Sequence, residues 1–331
     1  MTTADELDLV AVGETMVMVT PEPGGRLDTR SSFILRPGGA ESNVAALLAK
    51  LGHRSAWASA VGTDPLGDII MEFLNGQGVD VDLVRRDERR PTAVYFKDPA
   101  PSGTKVYYYR TGSAASAMNT SDVAAWTRRP ARIVHISGIT AAISADGMDV
   151  ARHVVSDRPF GPALVSFDVN HRPNLWTNGA AELRALAQRS DIVFVGRDEA
   201  EALWGTSDVD SVRDLLDEPT SLIVKDGATE AVAFTPAGVF REPSIRTDVV
   251  DAVGAGDAFA AGWLSGLLDD RDEVTRLRLG HYVASRVLAS PSDFAELLPA
   301  REIVGMLDSL FDEPNGEAAD DPRSDDLCRR P

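Results

Sequence analysis

The stretch Asp251-Ala-Val-Gly-Ala-Gly-Asp-Ala-Phe-Ala-Ala-Gly-Trp263 decides how this chain is read. Three small residues, Gly254, Ala255 and Gly256, open a segment with the pattern of a helix. Asp257 stands in its first turn, and Asp251 stands just before the small-residue turn. Glycine lets backbone approach a ligand closely and takes up positive φ without cost. A helix N-terminus offers free N–H groups and a positive dipole end, which suit an anion. A carboxylate there is a poor phosphate ligand. It is well placed to take a proton from a hydroxyl that attacks a phosphate. On these residues alone, an ordinary capped helix behind a glycine turn fits equally well, so the rest of the chain has to decide.

Length and composition set the outer bounds. A chain of 331 residues, 44% apolar and 25% charged, can bury one large α/β core or two smaller ones. A net charge of −18 argues against binding nucleic acid or an anionic membrane, both of which need basic surface. An anionic small molecule stays open, because a few arginines can reverse the sign within a cleft. The single cysteine, Cys328, rules out an intrachain disulfide and a cysteine-based metal site, and such usage fits a reducing cytoplasm. The first residues lack a basic and an apolar segment, so no signal peptide is expected, and no apolar run is long enough to span a bilayer.

The N-terminal half alternates short apolar runs with glycine-rich turns. Residues 7–13 read as a buried strand ending in Gly13-Glu14. Residues 16–20 and 32–35 look extended. The run Arg36-Pro-Gly-Gly-Ala-Glu-Ser-Asn43 feeds an amphipathic helix stopped by Gly52. Small residues at its start would let a ligand lie on the backbone, and Asn43 offers a donor and an acceptor to sugar hydroxyls. A strand is expected over 55–61 and a helix over 66–75. Two β-rich runs, 92–96 and 104–110, flank a Pro99–Gly103 hairpin signal. On a strand, Tyr108 and Arg110 share one face, and Tyr107 and Tyr109 the other.

From Ala131 the alternation of strand and helix becomes regular. Strands are expected at 133–137, 163–168, 192–195 and 222–225, with helices at 145–155, 180–188 and 198–204 and a charged helix near 212–216. That pattern means βαβ units and a parallel sheet, whose ligands sit at the carboxyl ends of the strands. Those ends carry Glu14, Gly138, Asp168-Val-Asn170, Gly196-Arg-Asp-Glu199 and Lys225-Asp-Gly227. A hairpin around Pro236–Gly238 follows, then the helix from Gly256 to about Leu268, and two further helices at 273–288 and 301–311. Residues 312–331 are acidic and poor in apolar residues, so a disordered tail is expected.

With both glycine-rich helix starts in place, the sequence resembles the PfkB (ribokinase-like) family of carbohydrate kinases over residues 7–311. The two anchors are Gly38-Gly39-Ala-Glu-Ser-Asn43 and Asp251-Ala-Val-Gly254-Ala-Gly-Asp257. Within that family it looks most like the 2-keto-3-deoxygluconate kinases, through Tyr107-Tyr-Tyr-Arg-Thr-Gly-Ser113, His135-Ile-Ser-Gly138 and Asp168-Val-Asn-His-Arg-Pro-Asn-Leu-Trp176. The resemblance implies an α/β fold: a Rossmann-type central parallel sheet flanked by helices, with a small β-sheet lid from residues 15–36 and 92–110. It implies one kinase domain over 1–311, ATP and Mg²⁺ as cofactors, and a small sugar acid as substrate. Asp257 would be the base, and the N–H groups of Gly254, Ala255 and Gly256 the anion hole. Gly38, Gly39, Asn43, Tyr95, Tyr108, Tyr109, Arg110, Arg172 and Asp293 would line the sugar site. The two arginines would hold a carboxylate. Asn170, Gly196, Lys225, Gly227 and His281 would border the nucleotide. Glu199, through water, and Asp251 would serve the metal. A lid with exposed strand faces also suggests a homo-oligomer.

Three positions depart from the family pattern on the nucleotide side. Gly196 replaces an Asn, Thr229-Glu230 replaces Lys-Gly, and His281 stands where Asn is common. Two rival readings stay open: a kinase for a neutral sugar such as fructose or ribose, and a weakly catalytic sugar- or nucleotide-binding protein. A nicotinamide-dependent dehydrogenase is discarded, because the first strand runs into Gly13-Glu14-Thr-Met and not Gly-x-Gly-x-x-Gly.

Overall fold

Strand β1 (Leu7–Val12) lies inside the main sheet, and from Leu9 to Val12 its residues alternate between two layers. Val10 and Val12 enter one apolar layer, Leu9 and Ala11 the other. A strand covered on both faces is why this run is apolar without alternation. The computed structural model describes residues 6–22, 25–99, 104–290 and 295–312. The remaining strands are β2 (Met16–Pro21), β3 (Phe33–Gly38), β4 (Ser55–Gly62), β5 (Val84–Asp87), β6 (Val94–Asp98), β7 (Lys105–Tyr109), β8 (Ala131–Ser137), β9 (Leu164–Asp168), β10 (Ile192–Gly196), β11 (Ser221–Asp226), β12 (Glu230–Thr235) and β13 (Gly238–Pro243).

Nine of these form one sheet in the order β13-β12-β11-β10-β9-β8-β1-β4-β5. Pairing is parallel from β11 to β5 and antiparallel at β12 and β13. The other four form the lid, in the order β3-β2-β6-β7. The chain is thus an α/β protein with a ribokinase-like sheet and a small β-sheet lid, as the resemblance implied. Strand β5 was not anticipated. Its sequence, Val-Arg-Arg-Asp, is too charged to read as a strand, and it forms the sheet edge, where such charge discourages further pairing.

Helices cover both faces. Toward one layer lie α1 (Ala40–Leu51), α2 (Pro65–Gly76), α9 (Ala255–Leu268), α10 (Glu273–Leu288) and α11 (Ala300–Asp312). Toward the other lie α3 (Thr120–Trp126), α4 (Gly138–Ala142), α5 (Ala145–Arg152), α6 (Ala180–Gln188), α7 (Arg197–Trp204) and α8 (Val209–Leu215). Helices α3 and α4 were not anticipated either. The capping box of Asn119 with Asp122 is a readable start signal for α3. The helix expected over 145–155 ends at Arg152 and passes into a π turn, His153–Asp157. Helix α9 is buried nearly all round from Asp257 onward, between α1 and α10, so Asp257 is held by the core. The hairpin tip at residues 100–103, Asp293 and the acidic tail from 313 onward lie outside the described residues.

Candidate active site

Gly254 is the residue before α9 and has φ of 80°. Only glycine takes that conformation cheaply, and it turns the chain so that Ala255 and Gly256 begin the helix. Asp257 follows in the first turn, 8% exposed. Two amides reach its carboxylate. Asn43 Nδ2 donates to Oδ2 at 2.8 Å, and Asn170 Nδ2 donates to Oδ1 at 3.4 Å. Asn43 comes from the first turn of α1, whereas Asn170 follows β9 with a positive φ of 39°. The side-chain carbonyl oxygens of both asparagines are buried and accept no hydrogen bond from the described residues. Such orphaned acceptors are costly unless a ligand donates to them, and sugar hydroxyls would.

The start of α1 is fixed from two sides. A Cβ on Gly39 would lie 2.4 Å from the Glu14 carbonyl oxygen, so this glycine is needed to pack α1 against the β1–β2 turn. Gly38 ends β3 opposite Met16. Glu41 is fully buried and accepts from Ser137 Oγ at 2.6 Å and Thr140 Oγ1 at 2.7 Å. Burial pushes its carboxyl above the ordinary value despite those hydrogen bonds.

Asp257 borders a cleft of about 440 Å³ lined by Tyr108, Asp168, Asn170, Arg172, Glu199, Lys225 and residues 252–254 and 256. Its floor is a charge cluster at the carboxyl ends of β9 and β11. Lys225 Nζ lies 3.2 Å from Asp168 Oδ2. Burial opposes the Lys225 charge, but Asp168, Glu199 and Asp257 outweigh it and hold the ammonium above its usual range. Burial pushes Glu199 up, and Lys225 pulls it back only in part. Glu199 also accepts from the backbone N–H of Gly196 at 2.8 Å and of His171 at 3.1 Å, so it caps α7 as well as facing the cleft. Asp168 escaped the sequence reading as a site residue. The available signal was its place at the carboxyl end of a parallel strand. Beneath it His135 is buried against Ser166, and burial pushes its imidazole down to about 4.

The wall of the cleft at Tyr108 is built by the lid. Tyr95 and Tyr108 stack with ring centroids 5.6 Å apart, and the Arg110 guanidinium lies 5.9 Å from the Tyr108 centroid. Tyr109 points to the opposite face, 64% exposed, with its edge on Phe96. Arg110 is bound by buried Glu14, its Nε at 2.7 Å from Oε2, while Ser113 Oγ donates to Oε1 at 2.7 Å. Glu14, noted in the sequence only as a strand-end residue, therefore neutralises one of the two expected carboxylate ligands. Among the described residues Arg172 donates to the His171 carbonyl oxygen, at 3.4 Å, and its guanidinium borders the cleft.

The altered nucleotide-side positions resolve differently from one another. Glu230 is turned onto Arg241, with Nη1 at 2.8 Å, so its charge is answered locally. His281 is buried, not part of the cleft lining. Its Nε2 pairs with the Glu242 carbonyl oxygen at 3.0 Å, its ring packs edge-on against Phe259, and burial pushes it down to about 4. Gly227 lies in the β11–β12 turn with φ of 52°. Asp251 is engaged by Lys97 Nζ at 3.1 Å and by the Val253 N–H at 3.0 Å. Among the described residues no group of three or more His, Cys, Asp or Glu could hold a metal ion unaided.

A buried carboxylate at a helix N-terminus, an adjoining floor where Lys225 meets Asp168 and Glu199, and a cleft under a β lid are the parts that phosphoryl transfer would call on. The family described as "pfkB family carbohydrate kinase" matches residues 6–300. A 2-dehydro-3-deoxygluconokinase of Bacillus subtilis (strain 168) is 36% identical over 305 residues, 90% of this chain and 94% of that protein. A 2-dehydro-3-deoxygalactonokinase of Haloferax volcanii is 30% identical over 299 residues, 88% and 94% of the two chains. The crystal structure of a PfkB protein from Polaromonas sp. JS666 superimposes with a TM-score of 0.80 at 32% identity, covering 90% and 99%. The chain belongs to the PfkB family and is a carbohydrate kinase.

Proposed function

We propose that this kinase transfers the γ-phosphoryl group of ATP to the C6 hydroxyl of 2-keto-3-deoxygluconate (2-dehydro-3-deoxygluconate). The observation that carries the reading is the placing of Asp257 in one cleft with Arg172 and Tyr108. Asp257 accepts the hydroxyl proton as the new O–P bond forms, while the N–H groups at 254–256 receive charge on the transferred group. Asn43 and Asn170 orient the carboxylate by their amide donors, and their free carbonyl oxygens suit sugar hydroxyls. Lys225 supplies fixed positive charge beside Gly256, whose Cβ position lies 3.3 Å from Nζ. Arg172 takes the substrate carboxylate.

Mg²⁺ binds through a few carboxylates, waters and the phosphates themselves, so it needs no closed protein cage. Asp168 and Glu199, both facing the cleft, fit that donor set and would hold it through water. When bound it would neutralise charge on the phosphates. Asp251, held by Lys97 and the Val253 N–H, does not line the cleft and suits this role less well.

Two further parts of the reading rest on different observations. Phe33, Leu35, Tyr107 and Tyr109 lie exposed on the outer face of the lid, which supports pairing with a second copy. The single cysteine supports a cytoplasmic setting. The similarity to the galactonate enzyme makes the C4 epimer the second candidate. Neutralisation of Arg110 by Glu14 is the one feature that favours a neutral sugar. A panel of 2-keto-3-deoxygluconate, its galactonate epimer, fructose and ribose, read by ADP release, tests the assignment. A keto-acid kcat/KM at least about tenfold above the neutral sugars is expected, since a site built for a charged group strongly penalises its absence. Preference for fructose or ribose would overturn it.

A further inference from the structure

Lys97 sits on β6 of the lid, two residues beyond Tyr95, and therefore on the same inner face. Its side chain is only 12% exposed and leaves the lid to reach Asp251, 154 positions further on. This is not one of the loose surface pairs that contribute little. Its partner is structurally committed: Asp251 Oδ1 accepts from the Val253 N–H, closing the turn that leads into Gly254 and α9. On its other side the same loop hangs from the end of α10, where the Val250 and Asp251 N–H groups donate to the Leu288 carbonyl oxygen at 2.8 and 3.4 Å. Between β13 and α9 the chain has no regular secondary structure. Side-chain and end contacts such as these therefore place it, and Lys97 brings one of them from the lid.

We propose that Lys97 is a positioning residue that couples the sugar lid to the phosphate-binding turn by bridging β6 to Asp251. Ordering of the lid over a sugar then steadies the turn at 251–254, and ordering of that turn by a nucleotide steadies the lid. Such coupling is reciprocal by thermodynamic necessity. Tyr95 and Lys97 supply the physical link, one facing the stacked Tyr108 and the other the turn. The inference rests on residues 254–256 being the phosphate site.

Hydrogen exchange on the full-length wild type, Lys97→Met and Lys97→Arg tests it without needing turnover. Methionine keeps the apolar stem and removes the charge, and arginine keeps the charge. In the ligand-free proteins, Lys97→Met is expected to speed exchange about two- to fivefold in both the lid strands and the segment 251–258, as loss of a partly buried ion pair should. Lys97→Arg should behave as wild type. With magnesium and adenosine 5′-(β,γ-imido)triphosphate, the wild type should gain protection in the turn and in the lid, and Lys97→Met in the turn alone. Faster exchange confined to the lid, or no change in either segment, would overturn the coupling. A wild type that gains no protection at 251–258 from the nucleotide would instead contradict the phosphate-site reading, leaving the ligand-free comparison to judge Lys97.

Discussion

The two walls of the cleft are made differently. On the catalytic side Asp257 starts a helix buried nearly all round, and amides from α1 and from the end of β9 hold both its oxygens. On the sugar side Tyr108 is about half exposed, and Arg172 extends from the segment after β9 with one weak hydrogen bond. On the proposed reading, the geometry for proton transfer is set by the main core, whereas recognition falls to a thin lid and the Arg172 side chain. Chemistry tolerates little misplacement, so the reacting carboxylate belongs on rigid elements.

That contrast can be broken at several points. Asp257→Asn should lower kcat by about 10²–10⁴, the range for loss of a general base, with little change in KM for the sugar. Asn43→Ala should lower kcat by about 10- to 100-fold, because a hydrogen bond to a charged group contributes roughly 1.5–3 kcal/mol. An Asn43→Ala enzyme that changed only KM would show that Asn43 serves the sugar and not the carboxylate. Arg172→Ala should raise KM for the keto acid about tenfold or more and leave a neutral sugar nearly unaffected. Equal effects on both would remove the carboxylate role.

The smallest expected effect lies away from the cleft. His281 titrates near 4 when folded and near 6.5 when unfolded. Between those values the unfolded chain binds a proton that the folded chain does not, so stability is lost as pH falls through that window. At pH 5 this amounts to about 2 kcal/mol. His135 adds a similar loss over the same window. In thermal unfolding, His281→Asn should narrow the difference in Tm between pH 7 and pH 5. An unchanged difference would mean that His281 is protonated in the fold.

Local punctuation made much of the fold legible. Helix α6 and helix α10 run over the residues expected, because apolar spacing and flanking Gly, Asp and Ser marked their ends. The lid strands were visible as extended or β-rich runs and the hairpin of β6 with β7 had a local signal, but the order β3-β2-β6-β7 was not legible. Strand β5 was hidden by its arginines, which serve ion pairs with Asp68, Asp87 and Asp122. In the site, motif residues such as Gly254, Asp257 and Asn43 could be named because each sits at a helix start. The pairings could not. Glu14 with Arg110, Asp168 with Lys225 and Asp251 with Lys97 join residues 96, 57 and 154 positions apart. Nothing in local composition records such partners. They alter the reading all the same, since Glu14 leaves Arg172 to answer a substrate carboxylate and Lys97 takes the carboxylate of Asp251.

The most direct test sets the two walls against each other in a single steady-state comparison of Asp257→Asn and Arg172→Ala, with ATP and 2-keto-3-deoxygluconate. The expected result is a split: kcat collapses with KM nearly unchanged in the first variant, and KM rises with kcat largely retained in the second. Near-full turnover by Asp257→Asn, or a loss in Arg172→Ala that falls on kcat alone, would contradict a core-held base facing a carboxylate clamp at Arg172.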